Sequence, residues 1–325
     1  MTRMGNIHLP ENVLDILIIG GGPAGFTAGL YASRAGLRTL LIEGGTTMSQ
    51  ISYSELVENY PGFPEGIGGF DLVDRFRKQA EKFGTKTTTA DVTSLGRKEL
   101  SAIPAWEVAA GGVNYQALAV IIATGTSWRK LSVPGEDAFV GRGISYCATC
   151  DAPFFRDKTI AVVGGGDTAV QEAIYLTNFA KKVTIIHRRD RLRATAILRD
   201  RALANPRIDF AWNAVVEEIK GNDAVTSVVI RDVQAASQRR ELPVDGVFML
   251  IGLDPNTDFL RGTVDVDKGG YILTDASMKT SAKGIFACGD CRNTTLRQVV
   301  TACGDGATAA VSAQHYVEDI KGEAY

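Results

Sequence analysis

Residues 15–25 read Asp15-Ile-Leu-Ile-Ile-Gly20-Gly-Gly22-Pro23-Ala24-Gly25, a short apolar run that stops at three glycines in G-x-G-x-x-G spacing. The run predicts a strand entering a tight turn. A helix is predicted from Phe26 to Ala35, Gly36 ends it, and Arg38-Thr-Leu-Leu-Ile-Glu43 reads as a second, parallel strand closing on an acid. Each part has a physical reason. Glycines let backbone approach a pyrophosphate, a helix N-terminus favours its negative charge, and a carboxylate ending the second strand accepts from a ribose hydroxyl. Glycine spacing alone is common; strand, turn, helix, strand and acid in that order specify a dinucleotide site.

The pattern returns at Lys158-Thr-Ile-Ala-Val-Val-Gly164-Gly-Gly166-Asp167-Thr168-Ala169, with a helix predicted through Phe179 and a strand over Val183–Ile186. This time the strand ends in base. His187-Arg188-Arg189 stands where the first unit has Glu43, and Arg191 and Arg193 follow. An acid there would repel a 2′-phosphate, whereas guanidinium forks bind it in bidentate fashion, so the exchange points to NADP(H) over NAD(H). The alternative is a solvated basic turn. Two more strand-and-turn segments, Ala119-Val-Ile-Ile-Ala-Thr124-Gly125 and Gly284-Ile-Phe-Ala-Cys-Gly289-Asp290, flank the second unit. Their order predicts one domain interrupted by another and resumed after it.

Just before the second unit the chain reads Ser145-Tyr-Cys147-Ala-Thr-Cys150-Asp151. Cysteines at this spacing reach disulfide distance within one turn of backbone, and Asp151 offers a proton donor beside a thiolate. A half zinc site is the structural alternative and needs four ligands. Those ligands would come from Cys288, Cys291, Cys303, His8, His187 and His315, which are all the other cysteines and histidines. Composition fits a soluble enzyme: 325 residues are enough for two cores, and a formal net charge of −2 gives no reason to expect nucleic acid or a membrane as partner. No apolar run approaches the roughly 20 residues of a membrane span, and the polar residues of 1–14 do not suit a signal peptide. Five cysteines, two in a close pair, suit the reducing cytoplasm.

Taken in order, Gly20–Gly25, Glu58-Asn59-Tyr-Pro-Gly-Phe-Pro64, Cys147–Asp151, Gly164–Ala169, His187–Arg193, Gly289-Asp290 and Arg297-Gln298 resemble the low-molecular-weight thioredoxin reductases, from Asp15 to about Ile320. The resemblance implies an α/β fold of two Rossmann-like dinucleotide-binding domains, the NADP(H) domain inserted into the FAD domain. The boundaries expected are 1–126 and 253–325 for the FAD domain and 127–252 for the domain carrying the cysteines. It assigns Gly20, Gly22, Pro23, Ala24, Gly25 and Glu43 to the FAD adenosine half, and Gln50, Asn59, Asp290, Arg297 and Gln298 to its ribityl chain and ring. NADPH falls to Gly164, Gly166, Asp167, Thr168, Ala169, His187, Arg188, Arg189 and Arg193. Val92, Thr124, Gly125, Gly252 and Gly289 complete the implied cofactor positions.

The same resemblance implies that NADPH reduces FAD and that the electrons reach a Cys147–Cys150 disulfide through Cys150. Cys147 then attacks the disulfide of thioredoxin or a thioredoxin-like protein, Asp151 acting as acid or base. It also implies a homodimer and an inserted domain that rotates, with hinges at 124–130 and 251–255. One feature differs from the family pattern: Met48-Ser49 replaces a Gly-Gly pair before Gln50. The tail Lys321–Tyr325 has two readings, a frayed end as the default and, as in ferredoxin-linked relatives, an aromatic over the flavin. A non-pyridine donor such as ferredoxin, or a binding-only regulator, is the competing reading. Cys288-Gly-Asp-Cys291 repeats the cysteine spacing, but Asp290 matches a flavin-contacting acid; Cys303 is expected to pack on a helix.

Overall fold

The computed structural model describes residues 10, 12–45, 49–54, 56–100, 103–235, 238–260 and 262–322. The chain forms two compact units, one of 1–127 with 254–325 and one of 128–253. In the first, β1 (Val13–Ile19) lies between β2 (Thr39–Glu43) and β6 (Val113–Ile122), parallel to both, with Ile18 opposite Leu41 and Ile121. β3 (Lys86–Thr89) extends the sheet beyond β2, and β17 (Ile285–Ala287) pairs in parallel with β6. Parallel strands covered on both faces read as continuous apolar runs, which is why β1 carries no alternation. Its Ile16 and Ile18 enter a cluster with α1 (Pro23–Arg34) and α6 (Val299–Lys321), while Leu17 and Ile19 enter another with Trp106 and Val108.

The strand expected over 119–123 is longer than its apolar core suggested. β4 (Val92–Leu100), β5 (Ile103–Ala110) and β6 form an antiparallel meander on the same sheet. Most of β4 is exposed and carries Arg97, Lys98 and Glu99, so no hydrophobic run announces it. Helix α1 begins at Pro23, not Phe26, because a proline at the first helical position gives up an N–H that has no intrahelical partner. Helix α2 (Gly69–Lys82) buries Leu72, Val73 and Ala80.

The second unit has its own five-stranded sheet, ordered β11-β10-β9-β15-β8, built from β8 (Ile144–Ser145), β9 (Thr159–Val163), β10 (Lys182–Ile186), β11 (Ile208–Ala211) and β15 (Gly246–Met249), all parallel. Helices α3 (Ala148–Asp151), α4 (Asp167–Leu176) and α5 (Ala196–Ala204) accompany it. A three-stranded antiparallel sheet of β12 (Ala214–Gly221), β13 (Val225–Asp232) and β14 (Arg239–Pro243) completes the unit. Helix α4 stops short of Phe179: the Thr177 hydroxyl and amide both donate to the Ile174 carbonyl, tightening the end into a turn. The chain's two passages between units carry β7 (Thr126–Trp128) and β16 (Leu253–Pro255), which pair as a two-stranded sheet.

Candidate functional sites in the two units

In the first unit β1 delivers the chain into the turn that starts α1. Gly20 has φ +118°, and a Cβ there would lie 2.2 Å from the Ala123 carbonyl oxygen. A Cβ on Gly25 would lie 1.9 Å from Gly20 O, so α1 and the strand end approach as only glycine permits. Gly22 caps α1 without a side-chain hydrogen bond, which leaves the first-turn amides aimed outward as an anion site needs. Glu43 ends β2 against Gly21, and Arg77 of α2 pairs with its Oε2 at 2.5 Å. Burial pushes the Glu43 carboxyl up and Arg77 opposes it.

The other positions assigned to the flavin side are gathered in the same unit. Gln50 Nε2 donates to the Thr126 carbonyl, and Asn59 Nδ2 donates to Gln298 Oε1 at 2.9 Å. Thr124 Oγ1 donates to Asn256 O at 2.7 Å, and Asn256 Nδ2 returns a bond to Thr124 O at 2.9 Å, so Asn256 fixes the turn through Gly125. Val92 opens β4, half-buried beside Ala110. Gly289 and Asp290 form the turn after β17; burial raises the Asp290 carboxyl to about 6, with Arg297 opposing and Asp305 adding. The Arg297 guanidinium stacks 4.4 Å over Tyr271, and its buried Nε has no hydrogen-bond partner. A buried donor without a partner beside a carboxyl poised near neutrality suits a polar ring edge, so this donor set fits a flavin. Ser49 caps the 3-10 turn at Gln50 and lies 3.3 Å from a Cβ placed on Gly22; Met48 and Tyr325 fall outside the described residues.

The second unit repeats the design. A Cβ on Gly164 would lie 2.5 Å from Leu250 O and 2.6 Å from Ala169 Cβ, and Gly166 caps α4 without a side-chain bond. The His187 ring covers Gly165 and is only 5% exposed, its Nε2 lacking a partner. Burial first, then Arg193, holds its imidazole below the usual histidine range, so His187 shapes the loop as a neutral ring. Arg188, Arg189 and Arg193 are exposed and supply the positive charge, and Arg193 Nη2 lies 3.9 Å from a Cβ placed on Gly166. Asp167 Oδ1 accepts from Thr195 N at 2.7 Å, tying α4 to the segment after Arg193, while Thr168 is exposed and Ala169 buried. Gly252, at φ +120°, accepts from Arg129 N at 3.1 Å near the exit from this unit. Exposed guanidiniums beside a glycine turn and an uncapped helix start fit an anionic nucleotide.

Cys147 and Cys150 are joined by a disulfide with Cα atoms 5.3 Å apart. Cys147 caps α3, its sulfur accepting from Cys150 N at 3.2 Å, and Cys147 N bonds Ser145 Oγ at 3.1 Å. Burial pushes the Asp151 carboxyl up, and a bond from Ser145 opposes it. A carboxyl so placed holds a proton to higher pH than one in water, as an acid serving a thiolate requires. Tyr146 stacks on Trp128 at 4.5 Å and donates to Glu136, a carboxylate 1% exposed that also accepts from Leu131 N and Ser132 N.

The second cysteine pair is different. Cys288 and Cys291 are free thiols and fully buried, and Cys291 Sγ donates to Cys288 O at 3.4 Å. Burial pushes the Cys291 thiol up to about 11, so it packs as a small apolar group. Cys303 is half-buried on α6, 3.8 Å from the Tyr60 hydroxyl. Several supporting residues had no signature in the sequence. Asp305 accepts from Gly289 N and from Arg292 Nε and Nη2, clamping the turn that carries Asp290. Glu172 accepts from Ala148 N at the start of α3. Such partners meet only through the fold; Arg292, next to the Gly289-Asp290 turn, is the one that proximity offered.

A family model for pyridine nucleotide-disulphide oxidoreductases matches residues 14–306, and the chain belongs to that family. Family and fold together imply a flavin and a pyridine nucleotide. A thioredoxin reductase of Listeria innocua is 49% identical over 313 residues, covering 96% of this chain and 96% of that protein. One from Peptoclostridium acidaminophilum is 45% identical and covers 95% of this chain and 98% of its own length. Among solved structures, the thioredoxin reductase of Streptococcus pyogenes matches with a TM-score of 0.88 at 46% identity, over 95% of this chain and all of that one. Among the described residues no helix is long and apolar enough to cross a membrane.

Proposed function

We propose that the protein is a thioredoxin reductase that takes electrons from NADPH, holds FAD in the first unit and NADPH in the second, and works in the cytoplasm as a homodimer. The observation that carries this reading is a Cys147–Cys150 disulfide in the same unit as a glycine turn flanked by exposed Arg188, Arg189 and Arg193. A bound FAD supplies the two-electron relay between nicotinamide and disulfide. The chain's residues do the rest. Gly20–Gly25 and the start of α1 receive the FAD pyrophosphate, and Asp290, Arg297, Gln298, Asn59 and Gln50 hold its ribityl and ring end. Gly164–Ala169 receive the NADPH pyrophosphate, and the three arginines its 2′-phosphate.

Reduction opens the S–S bond with two electrons and two protons. In the dithiol form Cys147 passes its proton to Asp151 and its thiolate attacks the partner's disulfide, forming a mixed disulfide and releasing one partner sulfur, which takes that proton from Asp151. Cys150 then attacks the Cys147 sulfur, its proton passing to the second partner sulfur as that sulfur leaves, and the Cys147–Cys150 bond is restored. An anaerobic titration tests the reading: a small excess of NADPH should bleach the yellow protein within seconds, and oxidised thioredoxin should restore the colour. Bleaching by dithionite or reduced ferredoxin but not by NADPH would replace the donor, and failure of thioredoxin to reoxidise the reduced protein would replace the acceptor.

A further inference from the structure

Glu172 is a carboxylate with no part in the scheme above. It lies half-buried on α4, close in sequence to buried Val170 and Ala173. Its one described bond is to the redox turn, where Ala148 N donates to Glu172 Oε2 at 3.0 Å. Ala148 is fully buried and is the first residue between the two cysteines. The neighbouring amides are held from within the segment: Cys147 N by Ser145, Cys150 N by the Cys147 sulfur and Asp151 N by Cys147 O. Ala148 alone among these four is anchored from α4, the helix that starts at the second glycine turn. Burial pushes the Glu172 carboxyl up while the Ala148 amide pulls it back, so the bond also stabilises the acceptor.

We propose that Glu172 is a positioning residue for the redox pair: its bond to the Ala148 amide holds the turn in the shape in which Cys147 and Cys150 are joined, and so sets how readily that disulfide opens. The inference rests on Cys147–Cys150 being the redox centre. Opening breaks the S–S bond and frees the turn to relax, so a bond that depends on the closed shape stabilises disulfide over dithiol. Glutamine at this position keeps an oxygen that can accept the amide; alanine has none.

The test is an equilibrium between the full-length holoprotein and dithiothreitol, whose two thiols reduce the protein disulfide and close into its own cyclic disulfide. The reduced fraction is read by acid quench, alkylation and mass of the peptide containing Cys147 and Cys150. Glu172→Ala should shift the equilibrium toward dithiol by about fivefold or more, since a hydrogen bond to a charged acceptor need be only partly lost on opening to do so. Glu172→Gln should stay within about twofold of the parent protein. If the alanine form does not fold, Glu172→Asp, one methylene short of the amide, takes its place with the same expected shift. Alanine or aspartate forms that match the parent protein would overturn the proposal, and so would a glutamine form that shifts as far as alanine, because charge rather than the tether would then be the agent. Failure of the parent protein to reduce thioredoxin with NADPH would sink the assigned activity instead, while leaving this comparison intact.

Discussion

Asp151 and Asp290 are both carboxyls lifted by burial, and each makes a test at the scale of one residue. Asp151 stays protonated to higher pH than an ordinary aspartate, so the acid-dependent part of turnover should decline as pH rises through its folded-state value. Asp151→Asn should lower disulfide turnover by roughly 100-fold and abolish that limb of the pH profile; a variant with the parent profile would remove Asp151 from the chemistry. Asp290, raised from 3.8 to about 6, binds a proton more tightly folded than unfolded. The stability this brings is complete below about pH 4 and is lost as pH rises through about 6. In flavin-free protein the melting temperature should therefore fall relative to Asp290→Asn between pH 4 and 7, and a constant difference across that range would contradict the burial argument. For the cysteines, Cys150→Ser should form a stable mixed disulfide between Cys147 and a thioredoxin that lacks its second disulfide cysteine and is activated as a disulfide with a small thiol, seen as a heavier band without reductant. If Cys147→Ser accumulates it instead, the two sulfurs exchange roles.

At the scale of the element, the turns that start α1 and α4 were legible because steric need and sequence coincide there. No side chain fits where a Cβ would lie 2.2 Å from Ala123 O, so Gly20 had to be written as glycine. Gly20→Ala and Gly25→Ala should each cost about 1–3 kcal/mol or more, read as a lowered denaturant midpoint with flavin lost first. An unchanged midpoint would mean that the turn has room the structure denies. Strand β4 was illegible for the converse reason: most of it is exposed, and charged Arg97, Lys98 and Glu99 carry no periodicity toward a core. The helix expected through Phe179 overran because Thr177, compatible with a helix by propensity, spends its hydroxyl on the backbone carbonyl three residues back. Asp305, Asn256 and Glu172 escaped for a third reason. Each acts through a backbone amide, carbonyl or side chain far away in sequence, and no local pattern encodes such a meeting.

For the whole molecule, the proposed choice of NADPH rests on the exchange of Glu43 for His187-Arg188-Arg189 at the ends of β2 and β10. NADPH should be preferred to NADH by about tenfold or more in kcat/KM, and Arg188→Ala with Arg189→Ala should erase most of that margin by weakening NADPH. Equal use of both nucleotides by the unaltered protein would refute the assignment. The α/β class was readable from the recurrence of one strand-turn-helix pattern, because each parallel sheet must be fed by such crossovers. Residues 128 and 253, where the chain enters and leaves the second unit, are led in and out by paired strands, with Arg129 N donating to Gly252 O at 3.1 Å. The ends of that segment are already neighbours. A gene encoding residues 128–253 alone should therefore yield a colourless, independently folding cassette that melts in one transition and retains 2′,5′-ADP in preference to 5′-AMP, and whose ends tolerate joining by a short linker while the chain is reopened at a surface loop.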